Sequence, residues 1–547
     1  MDRTIRPTRL PTKHMNKQHS GRPVSEDAKP FQTSPTAHNH RLTRWLLCLI
    51  CFLSGASTLI IEIAGNRLLS PLFGNSIYTW TALIGVVLVA ISVGDYLGGV
   101  LADRDPRLSL LGYLLLTASA WTLLVPWLQS WLPRGDASNG LMSGPLLASL
   151  FLFAVPACLL AAVGPFIVRH LSGTRGDHEI GLSAGLVGML TTLGSFVGTV
   201  LTGFCLIPLL GVRMIFVLTG LATGVIGVVA LAWRRTGRGV DVLVPIATLT
   251  ALASAHLLHT PTLPAGVVHQ EQTFYHDLRV EESITEHGES VRSLRLDTTL
   301  EGAQYIETGG ISMTCNLYWR LAEVYCPRLE SGLFLGGGGF AMPEDFSRRH
   351  PGARSDVCEI DPAVIDIGRR YFRLDEFPRV TPTARDARCF LAACRRRYDF
   401  IFGDAFHGLR NIPSHLISRE FFALVKSRLS DDGIFLMNII SPIQGPQSTL
   451  LHSIRKTLRA EFAYTATYGV NATNPAEPQN VIVMASVGQP HNQDRPAATD
   501  DVARFLLSTR VSDDLDEPDG TTIFTDDYNP SERMIAKQLY AYPEAQP

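Results

Sequence analysis

Three acidic residues, each at the end of an apolar run or just after one, carry the chemistry this sequence offers. Glu359 follows Val357-Cys358, Asp386 sits in Ala384-Arg385-Asp386-Ala387, and Asp404 follows Phe400-Ile401-Phe402-Gly403. Before them stands the run Gly336 to Gly339, directly after Leu333-Phe334-Leu335. Glycines after a buried strand leave a backbone free of side chains, which a ligand can approach closely. Glu359 lies 23 residues beyond Gly336. That is the spacing of a nucleotide-binding βαβ unit, in which a glycine turn underlies the cofactor and an acid at the next strand tip takes the ribose hydroxyls. Gly336, Gly337, Gly338 and Glu359 are therefore candidate nucleoside-binding residues. Asp404 opens the loop Asp404-Ala405-Phe406-His407-Gly408. A carboxylate there can orient an amine nucleophile and accept its proton, or it is a loop acid facing water. Asp386 is placed to accept from an adenine amino group or to cap a helix.

The elements that must position these groups alternate along the C-terminal half. Strands are expected at 333–335, 357–360, near 380, at 398–403, 433–440, 462–468 and 480–485. Helices are expected at 313–325, 362–372, 387–396 and 418–429. Asp361-Pro362 reads as N-cap and first residue of its helix. Such alternation predicts an α/β Rossmann-like, doubly wound and mainly parallel sheet, with ligands at the carboxyl ends of its strands. Ahead of it, residues 268–306 alternate apolar and polar around His287-Gly288, the pattern of a small β-hairpin subdomain.

The N-terminal half is built differently. Hydrophobic residues make up 46% of the chain, and nearly all the long apolar runs lie before residue 261. Seven segments, 45–66, 77–101, 108–132, 144–168, 180–208, 213–233 and 242–259, approach the ~20 residues that cross a bilayer. They predict a multi-pass α-helical membrane domain. Five domains are thus expected: a disordered basic tail at 1–40, a transmembrane domain of six or seven helices at 41–261, the β-hairpin subdomain at 262–310, the nucleoside-binding catalytic domain at 311–490, and a C-terminal extension at 491–547. Arg104, Arg107, Arg169, Arg175, Arg234, Arg235 and Arg238 share the side of the N-terminus, whereas Arg67, Arg134 and Arg213 fall opposite. Basic loops mark the cytosol. A cytosolic catalytic half, where nucleosides are supplied, then requires that the 242–259 segment, broken by Pro245, lie in the interface and leave six spans. Glu62 and Asp95 sit inside apolar helices, where a charge is expensive. Glu62 paired with Arg67 is the structural account, and a substrate path is the functional one.

A net charge of −2 gives no electrostatic reason to expect nucleic acid. The nine cysteines form no C-x-x-C pair or Cys/His cluster, so neither a metal site nor a disulfide framework is expected.

The glycine run, Glu359-Ile360-Asp361, Asp386, Asp404, the segment Ile412 to Phe422 and Thr525-Asp526-Asp527-Tyr528-Asn529-Pro530 together resemble the spermidine synthase family. The membrane-fused bacterial branch, with a helical half like that of major facilitator transporters, is the most similar. Ser54 to Leu69, Gly99 to Arg104 and Gly203 to Gly211 contribute to that likeness. The resemblance implies an aminopropyltransferase of the bacterial inner membrane that uses decarboxylated S-adenosylmethionine, with a small-molecule amine acceptor, membrane lipid and a homodimeric assembly. It implies Asp404 as the base, Gly336, Gly337, Gly338, Glu359 and Asp386 around the nucleoside, and His407 and Tyr318 toward the substrate. Two positions depart from the family's pattern: Gly339 stands where an acid binds the donor's ammonium, and His407 stands where an acid grips a diamine. Methyl or aminocarboxypropyl transfer from intact S-adenosylmethionine, and a transporter or sensor whose soluble half only binds, are the alternatives.

Overall fold

The computed structural model describes residues 35–73, 77–132, 143–173, 180–233, 240–258, 263–297, 299–405, 412–471, 474–490 and 500–542. The stretch to Leu46 forms a unit of its own, and everything from Leu47 onward forms a second.

The membrane half consists of helices α1 (Pro35–Phe73), α2 (Ile77–Arg104), α3 (Leu108–Gln129), α4 (Ser143–Ala161), α5 (Val163–Gly173), α6 (Ile180–Leu201), α7 (Ile207–Ala232) and α8 (Val240–Leu258). With α4 and α5 running on as one segment, six stretches are long and apolar enough to cross a membrane, by length and composition. Small residues bring the helix backbones together, as expected where apolar side chains gain nothing by leaving lipid. A Cβ on Gly55 would lie 2.1 Å from the Thr191 carbonyl oxygen, and one on Gly94 2.2 Å from that of Cys158.

The 242–259 segment is not laid across the end of the bundle. It is helix α8, which runs back along α7 so that Leu249 packs against Gly224 and Leu123. Its apolar stretch, Leu243–Ala255, is shorter than the other six. The chain thereby returns to the end of the bundle that carries Arg67. There Gly211 breaks α7 with φ +70°, and the Val212 N–H donates to Gln272 Oε1 at 3.1 Å. Arg67 donates to the Tyr275 carbonyl at 2.6 Å and stacks over Phe274. This is a correction to the expected Glu62–Arg67 pair: the guanidinium serves the junction with the C-terminal half instead. At the other end, Arg169 pairs with Asp103 at 3.4 Å beside the Arg104–Arg107 turn. These basic residues and the C-terminal half lie at opposite ends of the bundle. Basic loops in the cytosol and a catalytic half in the cytosol therefore exclude one another.

The soluble half opens with an antiparallel sheet in the order β1 (Val267–Gln272), β2 (Asp277–Ile284), β3 (Ser290–Leu296), β4 (Thr299–Tyr305). Short α9 (Leu321–Tyr325) leads to the main sheet. Its strands are β5 (Ser331–Leu335), β6 (Arg354–Glu359), β7 (Val380–Ala384), β8 (Tyr398–Gly403), β9 (Leu429–Ser441), β10 (Tyr464–Gly469), β11 (Gln479–Ser486) and β12 (Arg510–Val511). Helices α10 (Ala341–Arg349), α11 (Pro362–Tyr371) and α12 (Ala387–Ala393) link the first four. The spatial order is β12-β10-β11-β9-β8-β5-β6-β7. The five strands from β7 to β9 are parallel, and the other three pair antiparallel. Apolar residues cover both faces, as a buried parallel sheet requires. Phe334, Phe346, Trp319 and Phe400 pack on one face, and Leu333, Leu335, Phe422 and Phe435 on the other. The C-terminal extension closes this fold: β12 completes the sheet edge, while Phe524 and Ile535 enter the core.

Candidate functional site

The order reverses beside β5, whose two neighbours are β6 and β8, and there the strand-tip residues converge. Gly336 has φ +107° because its Cβ would lie 2.3 Å from the Asp404 carbonyl oxygen. The Asp404 N–H in turn donates to the Leu335 carbonyl at 2.8 Å. Glycine turn and acid are thus locked together through the backbone. Glu359, buried at the tip of β6, accepts from the Gly337 N–H at 2.7 Å and the Asp361 N–H at 3.0 Å. Burial raises its pKa, against the pull of those two N–H groups. Asp361 caps α11 through the Ala363 N–H at 3.0 Å and also accepts from the Thr273 hydroxyl.

Asp404 is half-buried, and Asn438 Nδ2 donates to its Oδ1 at 2.9 Å. Desolvation pushes its carboxyl up to about 6, with the Asn438 bond opposing. Asn438 keeps its Oδ1 buried and without a partner among the described residues. Asp386 caps α12, accepting from the Cys389 N–H at 2.9 Å, and meets His415 Nε2 at 2.9 Å. Burial works to raise it, but the Cys389 and His415 bonds win and lower it. Of the two readings of Asp386, the helix cap is the one seen here. Asp526 of the C-terminal motif holds Arg388 at 2.7 Å and the Ser418 hydroxyl at 2.6 Å, which fixes the 412–422 segment against α12.

Of the two expected substrate residues, one stands apart from this group. Tyr318 is fully buried in the core, where its hydroxyl meets Thr509 Oγ1 at 2.9 Å and its ring meets Tyr468. His407 lies outside the described residues.

The structure adds Glu301, on β4. The β4 backbone presses on the glycine turn: a Cβ on Gly302 would lie 2.3 Å from the Gly339 nitrogen, and one on Gly338 2.6 Å from the Glu301 carbonyl oxygen. Gln304 ties the two together, donating to the Gly339 carbonyl at 2.9 Å. The Glu301 Oε1 is buried with no hydrogen-bond partner among the described residues. Desolvation first, then the charges of Asp404, Glu359 and Asp297, push this carboxyl up to about 8. An acid in an alternating strand reads as a solvent-facing residue, so its position in the sequence gave no warning. For Asn438 the signal was present, a lone amide inside Phe435-Leu436-Met437-Asn438-Ile439-Ile440.

A doubly wound sheet with a glycine turn and acids at its strand tips defines a nucleoside-binding fold of the Rossmann type. Residues 325–495 match the spermine/spermidine synthase domain. The chain is 27% identical over 472 residues to a polyamine aminopropyltransferase of Streptomyces coelicolor, covering 79% of this chain and 82% of the relative. It is 27% identical over 260 residues to one of Vibrio vulnificus, covering 46% and 81%. A probable spermidine synthase of Corynebacterium glutamicum, known by crystal structure, aligns over 48% of this chain and 97% of its own at 16% identity and a TM-score of 0.39. The C-terminal half carries a spermidine synthase domain, and the chain is similar to polyamine aminopropyltransferases.

Proposed function

We propose that the catalytic half transfers an aminopropyl group from decarboxylated S-adenosylmethionine to a small-molecule amine. The observation that carries this reading is Asp404, held at the tip of β8 against the glycine turn, with a carboxyl raised to about 6. A base poised near neutrality can both accept a proton and orient the nitrogen that loses it. The lone pair of the amine forms the new C–N bond at the carbon beside the sulfonium. The C–S bond breaks with its electrons on sulfur, methylthioadenosine leaves, and the nitrogen's proton passes to Asp404. Holding nucleophile and carbon in line contributes much of such a rate enhancement. Glu359 takes the ribose hydroxyls and Asp386 the adenine amino group.

Glu301 holds the donor's terminal ammonium. Gly339 offers no acid, and the space there is tight: a Cβ would lie 3.3 Å from the Phe372 ring and 3.4 Å from the Gly302 carbonyl carbon. The anion comes instead from the neighbouring strand. A carboxyl kept protonated by burial and then by nearby acids gives up its proton when a cation arrives to pair with it.

Replacing Asp404 by Asn tests the reaction. Turnover should fall by about a hundred- to ten-thousandfold, while methylthioadenosine still binds, because the backbone lock to Leu335 remains. Full activity in that variant would discard amine transfer and put methyl transfer from intact S-adenosylmethionine in its place.

A further inference from the structure

Because the catalytic half adjoins the end of the bundle opposite Arg104, Arg107 and Arg169, basic loops in the cytosol would put it on the far side of the membrane. A nucleoside donor made in the cytosol must then cross. The membrane half holds a cavity of about 600 Å³ between α1, α2, α5 and α6. Its lining includes Ser54, Thr58, Asp95, Asp103, Arg169 and Thr191. Asp103 and Arg169 lie at the basic end, and their side chains are 77% and 54% exposed, so the mouth is there. Asp95 and Asp103 lie two turns apart on one face of α2, leading inward from that mouth.

Arg169 answers Asp103, which leaves Asp95, an exposed residue of the cavity lining, with no counter-charge among the described residues inside an apolar segment. An acid there is costly as a charge, so it either takes a proton or binds a cation. Two hydroxyls of the lining, Ser54 Oγ and Ser172 Oγ, belong to residues only 5% and 7% exposed and have no hydrogen-bond partner among the described residues. Even an inward Ser or Thr in a membrane helix ordinarily bonds a carbonyl one turn back, as Thr58 does to the Ser54 carbonyl at 2.9 Å. One acid, spare hydroxyls and apolar walls suit a small organic cation with methylenes between its polar groups. At the inner end α1 and α6 meet backbone to backbone at Gly55 and Gly194, so passage needs these two helices to part.

We propose that the membrane half admits an ammonium- or sulfonium-bearing small molecule from the basic, cytosolic end into the Asp95 cavity and passes it toward the catalytic half. The choice of cargo rests on the transferase reading, whereas the cation site does not. The test uses the full-length protein sealed in lipid vesicles, with labelled decarboxylated S-adenosylmethionine in one arm and labelled putrescine in the other. Flux above protein-free vesicles in either arm is expected, and the arm that responds tells donor from acceptor. Asp95→Asn should lower that flux about tenfold or more, and Asp95→Glu should retain most of it. In detergent, where both ends are open, Asp95→Asn should turn over within about twofold of wild type, which shows that it is folded. An impermeant maleimide should reach Cys389, the exposed thiol of α12, in intact cells. Flux no greater than in empty vesicles in both arms, equal flux in Asp95→Asn, or labelling of Cys389 only after lysis would each overturn the proposal. Flux that depends on Asp95, from a protein without turnover in detergent, would instead remove the transferase reading and leave the cation path standing.

Discussion

The two halves of this molecule hold their acidic side chains in opposite ways. In the catalytic half Glu359 is fixed by two backbone N–H groups, Asp386 by a cap and a histidine, and Asp404 by Asn438. In the membrane half Glu62 and Asp95 have no hydrogen bond or ion pair among the described residues. The difference teaches what each kind of site demands. Chemistry on a bound nucleoside needs groups held before the substrate arrives, and strand tips supply the donors that hold them. A site that must accept and release a cation gains from a charge without a permanent partner. Glu301 lies between these cases, a catalytic-half acid with one buried oxygen that has no partner among the described residues.

The largest effect that could break this contrast, after loss of Asp404, belongs to Glu359. Glu359→Ala removes the acceptor for the Gly337 N–H and the partner of the ribose, so adenosyl affinity should fall about five- to a hundredfold, measured by calorimetry with methylthioadenosine. Unchanged affinity would mean that the nucleoside lies elsewhere.

The next effect is a pair of opposed pH trends. Asp404 must be unprotonated to act, so turnover should fall about tenfold per pH unit below about 6. Stability of the empty protein should run the other way. Its carboxyl has a higher pKa folded than unfolded, so its contribution to stability is full at low pH and is lost as pH rises through about 6. The same sign holds for Glu301 and Glu344, whose contributions are lost as pH rises through about 8. Each group changes stability by at most about 1.4 kcal/mol per pH unit. Thermal melts between pH 5 and 9 should therefore show a decline that Glu301→Gln partly flattens. A melting temperature that rises toward pH 9 would contradict the assigned environments.

The smallest effect should come from Glu62. It does not line the cavity and Arg67 is engaged elsewhere, so Glu62→Gln should leave both flux and turnover within about twofold. A large loss in either assay would erase the distinction drawn between Glu62 and Asp95.

Much of this was legible in the residues, and what was not has physical reasons. The βαβ unit followed from glycines, spacing and a proline after an N-cap aspartate, all local signals. Strand β11 pairs antiparallel with both β9 and β10, and β12 with β10, reversals that periodicity does not reveal. Tyr318 was assigned to the substrate by likeness alone, whereas its hydroxyl finds Thr509, a partner 191 residues away in sequence. Glu301 was missed for the same reason: β4 touches the glycine turn only in three dimensions. The opposed ends of the membrane half could not be seen while Pro245 was read as a break, because a proline inside a packed membrane helix is tolerated when its neighbours hold it.

The most direct test of the central claim is the donor that the site prefers. Calorimetry on the full-length protein should show decarboxylated S-adenosylmethionine binding about ten- to a hundredfold tighter than the intact molecule, since the Glu301 carboxylate attracts the ammonium and repels the added carboxylate. Glu301→Gln should bring the two affinities together while leaving methylthioadenosine unaffected. Equal or tighter binding of intact S-adenosylmethionine by the wild-type protein would contradict the account.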